Sequence, residues 1–191
     1  MTRENFKSIT EQILKEGAGI TDLDALRGAI KLIFDKAVIE HNFSTMYADL
    51  CVILAEQFPQ FEDPNSTDPN IKFTFKRLLL NECQHEFEDK PFLQETNVKV
   101  LSTEESEIIA KKRMLGNINF VGELYKKKLL ASKIIHGCII QLLGELRTEN
   151  PETTDKIPPV ENLELLCKLM RTVGKILEAD KDSQLVDVYF Q

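Results

Sequence analysis

The four residues Glu82-Cys83-Gln84-His85 form the first pattern in this sequence that could do chemistry. A carboxylate and an imidazole three residues apart lie on one face of a helix, and di-iron carboxylate proteins bind metal with that pair. Such a centre needs a second pair and two further glutamates on facing helices. Neither His41 nor His136 follows a glutamate at this spacing. The pattern therefore predicts a surface-facing Glu82 and His85 on an amphipathic helix rather than a metal centre.

Motifs for other enzyme classes are also absent from the sequence. It contains no phosphate-binding glycine loop, no GxSxG nucleophile turn and no HExxH zinc motif. Four cysteines lie in apolar helical patterns without any CxxC pair, and we expect them to be reduced core thiols: Cys51, Cys83, Cys138 and Cys167. We therefore expect a protein that is not an enzyme and needs no cofactor or metal.

The densest charged feature is the segment KKRMLGNINFVGELYKKKLL, residues 111–130. The whole chain of 191 residues has a formal net charge of −7, so a group of cations at both ends of one apolar segment is unusual. Six basic residues form the two clusters: Lys111, Lys112, Arg113, Lys126, Lys127 and Lys128. Those that face solvent could contact RNA phosphates or an acidic protein surface. Alternatively, they only solvate a helix whose apolar face is buried.

The centre of this segment is apolar around much of a helix. Its stripe, widened by Phe120 and Leu124, consists of Leu115, Ile118, Val121, Tyr125 and Leu129. A helix that is apolar over so much of its circumference is buried between neighbours. Gly116 and Gly122 predict close approach of another backbone, or a local break of the helix near Gly116. We expect a helical region over about 103–130.

The remaining chain repeats apolar residues every three or four positions, which predicts an all-α protein. The predicted first helix is capped by Thr2 and ends at Gly17 or Gly19, and the second starts at Thr21 or Asp22. Ser44 is predicted to cap the third. The other predicted helices span about 71–88, 132–147 and 160–178, with an incomplete one at the end of the chain. Residues 59–70 are expected to form a polar loop, and 89–102 to be irregular.

These helices come in antiparallel pairs with a period of about 40 residues, which is typical of HEAT-like α-solenoids. A helical bundle would also give eight helices with short connections. We favour a single solenoid domain over 1–191, a crescent with pairs at about 3–40, 43–88, 103–147 and 160–191.

Several stretches resemble the middle domain of eukaryotic translation initiation factor 4G. The segment 111–130 is similar to the family signature, in which a basic run precedes LGNI, GEL and Lys-x-Lys. Three further stretches resemble the family in the same order: AIKLIFDKAVIEHNFSTMYADLC (29–51), FKRLLLNECQHEFE (75–88) and LELLCKLMRTVGKILE (163–178). The resemblance implies a crescent of five HEAT pairs, so that this chain would lack the C-terminal pair and a half.

The resemblance also implies a cytoplasmic scaffold that binds the DEAD-box helicase factor 4A, stimulates its ATPase and unwinding activity, and binds RNA. Flanking regions of such a scaffold contact other initiation factors, and no membrane is involved. Five of the six basic residues named above match the basic run and the Lys-x-Lys of the family, and Lys127 is additional. We assign all six to RNA binding, with the helicase as the alternative partner. For helicase contact we expect polar and aromatic residues near repeat edges, namely Asn42, Phe43, Arg77, Asn81, Glu82, Asn117 and Glu123. Their alternative role is capping and packing within the fold. The alternative is an RNA- or protein-binding HEAT module of an mRNA-decay or nuclear cap-binding relative.

Overall fold

The structure is a computed structural model that describes residues 4–17, 19–63, 72–88, 103–143 and 158–179. Within these ranges the chain forms seven α-helices and one short hairpin. The helices are α1 (Phe6–Gly17), α2 (Leu23–Ile39), α3 (Ser44–Gln57), α4 (Phe75–Glu88), α5 (Thr103–Lys126), α6 (Ser132–Leu143) and α7 (Val160–Ala179). The expected all-α class is confirmed.

The helices stack in two layers. Helices α1, α3, α5 and α7 pack one on the next in the first layer, and α2 packs on α4 in the second. Contact between every second helix is the pattern of a stacked array of helix pairs. In such an array the first helix of one pair packs against the first helix of the next, and the second against the second. This arrangement confirms the HEAT-like solenoid rather than the bundle.

Helix α5 is the central element, because it contacts α2, α3, α4, α6 and α7. Its apolar centre is buried as expected, with Ile118, Phe120 and Leu124 fully enclosed and Leu115 partly so. The helix runs without interruption through Gly116, so the alternative of a local break is wrong. A Cβ atom at Gly116 would overlap the carbonyl oxygen of Val38, which shows that α2 approaches the backbone of α5 closely there.

Two helix starts test the predicted caps. Asp22 caps α2 as expected, and its Oδ1 accepts a hydrogen bond from the N–H of Ala25 at 2.8 Å. Ser44 does not cap α3, because it is already the first helical residue. Its hydroxyl instead donates to the carbonyl oxygen of His41 at 2.6 Å, inside a 3-10 turn spanning His41–Phe43 that the sequence pattern did not predict.

The predicted polar loop between α3 and α4 contains a hairpin instead. Strand β1 (Phe61–Glu62) pairs antiparallel with β2 (Lys72–Phe73), and α4 begins at Phe75 rather than near residue 71. Two-residue strands show no readable alternation, which explains why the pattern missed them. The ring of Phe73 lies under the guanidinium groups of Arg27 and Arg77, at 5.2 and 4.9 Å from its centroid.

Some predictions lie outside the described residues. They are the Thr2 cap, the irregular segment 89–102, the end of the sixth helix beyond Leu143, and the incomplete last helix. Among the described helices, none is both long enough and apolar enough to cross a membrane.

Candidate partner-binding surface

The 3-10 turn between α2 and α3 presents two of the residues assigned to the helicase. Asn42 is exposed, and the Phe43 ring is 41% exposed. A hydrogen bond anchors the residue before the turn, because the hydroxyl of the buried Tyr47 donates to Oε2 of Glu40 at 2.7 Å. That hydrogen bond also holds the pKa of the Glu40 carboxyl below its usual value. Phe43 is therefore an aromatic side chain held at the surface by an ordered backbone.

A polar pocket of about 320 Å³ lies beside this turn, where α5 and α7 meet it. It is lined by His41, Asn42, Ser44, Thr45, Leu115, Asn119, Glu123, Lys168 and Thr172. Glu123 is largely enclosed, and its Oε1 accepts a hydrogen bond from Nζ of Lys126 at 2.8 Å. Its other oxygen, Oε2, is buried and has no hydrogen-bond partner among the described residues. The structure thus brings Asn42 and Glu123 to one pocket, which the sequence did not predict.

Asn117, also assigned to the helicase, lies inside the array. It is fully buried, and its Nδ2 donates to the carbonyl oxygen of Cys83 at 3.3 Å. The amide therefore joins α5 to α4, and its side chain reaches no solvent. An inward position fits its spacing, because Asn117 lies three residues before the buried Phe120 on α5.

The remaining residues assigned to the helicase lie on α4. Arg77 contacts Phe73 of the hairpin, and its Nη2 lies 3.5 Å from Oδ2 of Asp63. Asn81 is exposed one turn further along, and Glu82 is partly exposed. The guanidinium of Arg77 thus contacts Asp63 and Phe73 at the hairpin, whereas the side chain of Asn81 is exposed to solvent.

The basic residues assigned to RNA have different surroundings. Arg113 is enclosed between three helices, where its guanidinium contacts the carboxylate of Glu86 at 2.6 and 2.8 Å and Oδ1 of Asp35 at 2.5 Å. Burial opposes its charge, but the hydrogen bonds to these two carboxylates outweigh burial and raise the pKa of Arg113. The cluster joins α2, α4 and α5.

Three of the lysines also have acidic partners. Nζ of Lys111 lies 3.0 Å from Glu164, Nζ of Lys127 lies 2.5 Å from Asp49, and Lys126 contacts Glu123. Lys112 and Lys128 are exposed and form no ion pair with another described residue. These cations therefore do not form one continuous basic stripe on the described surface.

Sequence reasoning missed the acidic partners of the basic clusters. For Arg113 a signal existed, because positions 113, 117, 120 and 124 share one face of α5 and the last three are fully buried. An arginine in step with that face predicts a buried ion pair. For Lys111 and Lys127 no local signal exists, because their partners come from α7 and α3.

The four thiols differ in their surroundings. Cys51, Cys83 and Cys138 are buried as expected, but Cys167 is exposed, which corrects the prediction of four core thiols. Burial raises the pKa of Cys138 to about 12, so this thiol is protonated at neutral pH and a poor nucleophile. No group of three metal-binding side chains is found among the described residues.

Comparison with known proteins places these features in a family. The MIF4G domain model matches residues 1–191. A eukaryotic translation initiation factor 4G of Cucumis melo is 41% identical over 201 residues, covering the whole chain and 10% of that protein. Eukaryotic translation initiation factor 4 gamma 2 of Homo sapiens is 38% identical over 198 residues, covering the whole chain and 21% of that protein. The chain thus spans only about a tenth to a fifth of these relatives.

One solved structure agrees in fold. The MIF4G domain of Trypanosoma cruzi translation initiation factor EIF4G5 superposes with a TM-score of 0.55 and 23% sequence identity. The match covers the whole of this chain and 78% of that one. At this level of identity the likeness supports the arrangement of helices, and it carries no residue roles.

Proposed function

The chain belongs to the MIF4G domain family, and from that premise we propose that it is a non-enzymatic, cytoplasmic scaffold of translation initiation. Its proposed partner is the DEAD-box helicase factor 4A, whose ATPase and unwinding activity it would stimulate. The observation that carries this proposal is the similarity to translation initiation factors 4G over the whole chain. The similarity supports this scaffold more than the alternative of an mRNA-decay or nuclear cap-binding relative.

The proposed helicase surface consists of those assigned residues that solvent can reach. Phe43 and Asn42 on the ordered turn after α2 are its centre. Asn81 and Arg77 on α4 form a separate part, because Arg77 lies with Arg27 near the start of α2, at the other end of that helix from the turn. An exposed aromatic ring on a rigid turn suits a protein contact, because aromatic anchors contribute much of the energy at interfaces. We leave Asn117 out of this surface because its side chain contacts only the interior.

Stimulation of the helicase follows from differential binding. A DEAD-box helicase has two lobes that move relative to each other, and a rigid array that contacts a closed arrangement better shifts the population toward it. The array contributes no group to ATP hydrolysis. Its effect is limited to the difference in its affinity for the two lobe arrangements.

Binding to factor 4A by isothermal titration calorimetry, with and without a non-hydrolysable ATP analogue, tests the proposal. We expect micromolar or tighter binding and a faster ATPase in the presence of the chain. Phe43→Ala should weaken binding about tenfold if the ring is an anchor. Leu32→Ala is the matched control, because Leu32 is 69% exposed on α2, outside the proposed surface. Absence of binding, also for a version extended to five helix pairs, would contradict the proposal.

RNA binding is a second proposed activity, centred on Lys112 and Lys128. Lys111 and Lys127 could join by exchanging their ion pairs, because exposed pairs contribute only about 0–1 kcal/mol. Lys126 is less available, because its partner Glu123 is largely enclosed. Arg113 would have to leave two carboxylates in a largely enclosed site, which is far more costly. The double variant Lys112→Ala with Lys128→Ala should lower RNA affinity and reduce the salt slope by about two. An unchanged slope would remove both lysines from the RNA surface.

A further inference from the structure

The polar pocket between the 3-10 turn, α5 and α7 contains a feature that the fold itself does not explain. Oε2 of Glu123 is buried without a hydrogen-bond donor among the described residues, whereas Oε1 is paired with Lys126. Buried polar atoms in folded proteins nearly always have a partner, and a carboxylate oxygen without one is unfavourable. The position of Glu123 in the wall of a pocket suggests that its donor comes from outside the described chain.

The lining of the pocket indicates which chemical group that donor belongs to. A guanidinium group is planar, carries five N–H donors and no acceptor, and matches a carboxylate well. The neutral side chains of Asn42, Asn119 and Thr172 can accept hydrogen bonds from its remaining N–H groups. A volume of about 320 Å³ is at the small end for ligand pockets and suits one long side chain.

We propose that this pocket receives an arginine side chain of the partner protein, with Glu123 as the residue that binds its guanidinium group. Where the partner is the helicase, this inference rests on the proposed function and gives that surface a specific polar contact beside Phe43. A small rotation of the Glu123 side chain on docking exposes Oε2 to the incoming donors. The pocket then combines an aromatic anchor with a charged contact, as binding hot spots do.

Lys168 lines the pocket, so reversing its charge by mutation tests whether the ligand is positive or negative. Its ammonium group repels a guanidinium and attracts a carboxylate or phosphate. Lys168→Glu should therefore strengthen binding of a cationic ligand and weaken binding of an anionic one. The residue is exposed on α7, so the change does not disturb the core. Lys175→Glu, at an exposed position of the same helix outside the pocket, is the matched control.

The first experiment uses N-acetyl-arginine amide as the probe and needs no partner protein. Titration followed by nuclear magnetic resonance should shift the side-chain amide signals of Asn42 and Asn119, with a dissociation constant in the millimolar range, as expected for a single small group. Lys168→Glu should tighten binding about threefold, and Lys175→Glu, two helical turns away, should have a much smaller effect at an ionic strength of about 0.15 M. Shifts produced by N-acetyl-glutamate amide or inorganic phosphate, but not by the arginine probe, would overturn the proposal.

The second experiment measures helicase binding by Glu123→Gln, which keeps the shape of the side chain and removes its charge. The variant should bind factor 4A about tenfold more weakly, with an unfolding midpoint close to that of the parent chain. Glu178→Gln, at an exposed site near the end of α7, is its control. If the parent binds and Glu123→Gln binds equally well, the pocket proposal fails while the scaffold function stands. If neither the parent chain nor the version extended to five helix pairs binds, the scaffold function fails and the arginine titration decides the pocket.

Discussion

At the scale of single residues, Arg113 was predicted to bind RNA because it lies in a basic run, but the structure places it in an enclosed ion pair. It is the third residue of the basic segment 111–130, yet its guanidinium is enclosed by Glu86 and Asp35 and joins three helices. Side-chain exposure is 12% for Arg113 and 8% for Glu86, so water screens this pair poorly. Removing the arginine would leave a buried carboxylate without its partner, which is the costly way to break such a pair.

We predict that Arg113→Met lowers the free energy of unfolding by about 2–4 kcal/mol, because Glu86 then remains buried without a cation. Urea unfolding followed by circular dichroism measures this change. Lys112→Met is the control, because this neighbour is exposed and its replacement should change stability by less than about 0.5 kcal/mol. Equal stability of both variants would show that the enclosed cluster contributes nothing to folding.

At the scale of elements, periodicity predicted the helices well, and the predicted start of α2 agrees with the structure. The burial of the centre of α5 also followed from its pattern, because a helix that is apolar around most of its circumference is stable only when neighbours enclose it. The hairpin and the 3-10 turn were missed because two or three residues carry no period. The pocket beside Glu123 could not be predicted, since it is formed by segments distant in sequence that meet only in the fold.

The contact of α5 with α2 at Gly116 gives a prediction at this scale. Gly116→Ala should destabilise the chain by about 1–3 kcal/mol, because the added methyl group overlaps the carbonyl oxygen of Val38 and the helices must separate. Gly28→Ala on α2 is the matched substitution, since a Cβ atom there meets no neighbour. It should stabilise the chain by up to about 1 kcal/mol through helix propensity. Thermal unfolding of both variants would detect the opposite signs, and a Gly116→Ala variant as stable as the parent chain would contradict the close approach.

At the scale of the whole molecule, the array presents apolar side chains on its last helices. Ile140 on α6 and Val160 and Ile176 on α7 are all more than two-fifths exposed. From the resemblance to a five-pair family, we propose that a further pair and a half packs here in a longer protein. In stacked arrays each added unit contributes its interface with the preceding one, so these side chains are where we propose that the next pair packs.

A version of the chain extended by this pair and a half, to five pairs, should therefore unfold with a free energy at least about 2 kcal/mol larger, since burying a single isoleucine contributes about 1.5–3 kcal/mol. Ile176→Glu should remove much of that gain in the extended version, yet change the present chain by less than about 1 kcal/mol. Chemical denaturation of the four proteins measures both effects. The same loss in both lengths would place Ile176 outside the junction.

The central position of α5 also has a consequence for folding of the chain during its synthesis on the ribosome. Helices α2, α3 and α4 all pack against α5, and the contact of Arg113 with Asp35 spans 78 residues. During synthesis these three helices therefore leave the ribosome before the element that covers their inner faces. Contacts so distant in sequence form late, because the intervening chain must first be ordered. The N-terminal half of the nascent chain should thus remain accessible to chaperones until Lys126 has emerged from the exit tunnel.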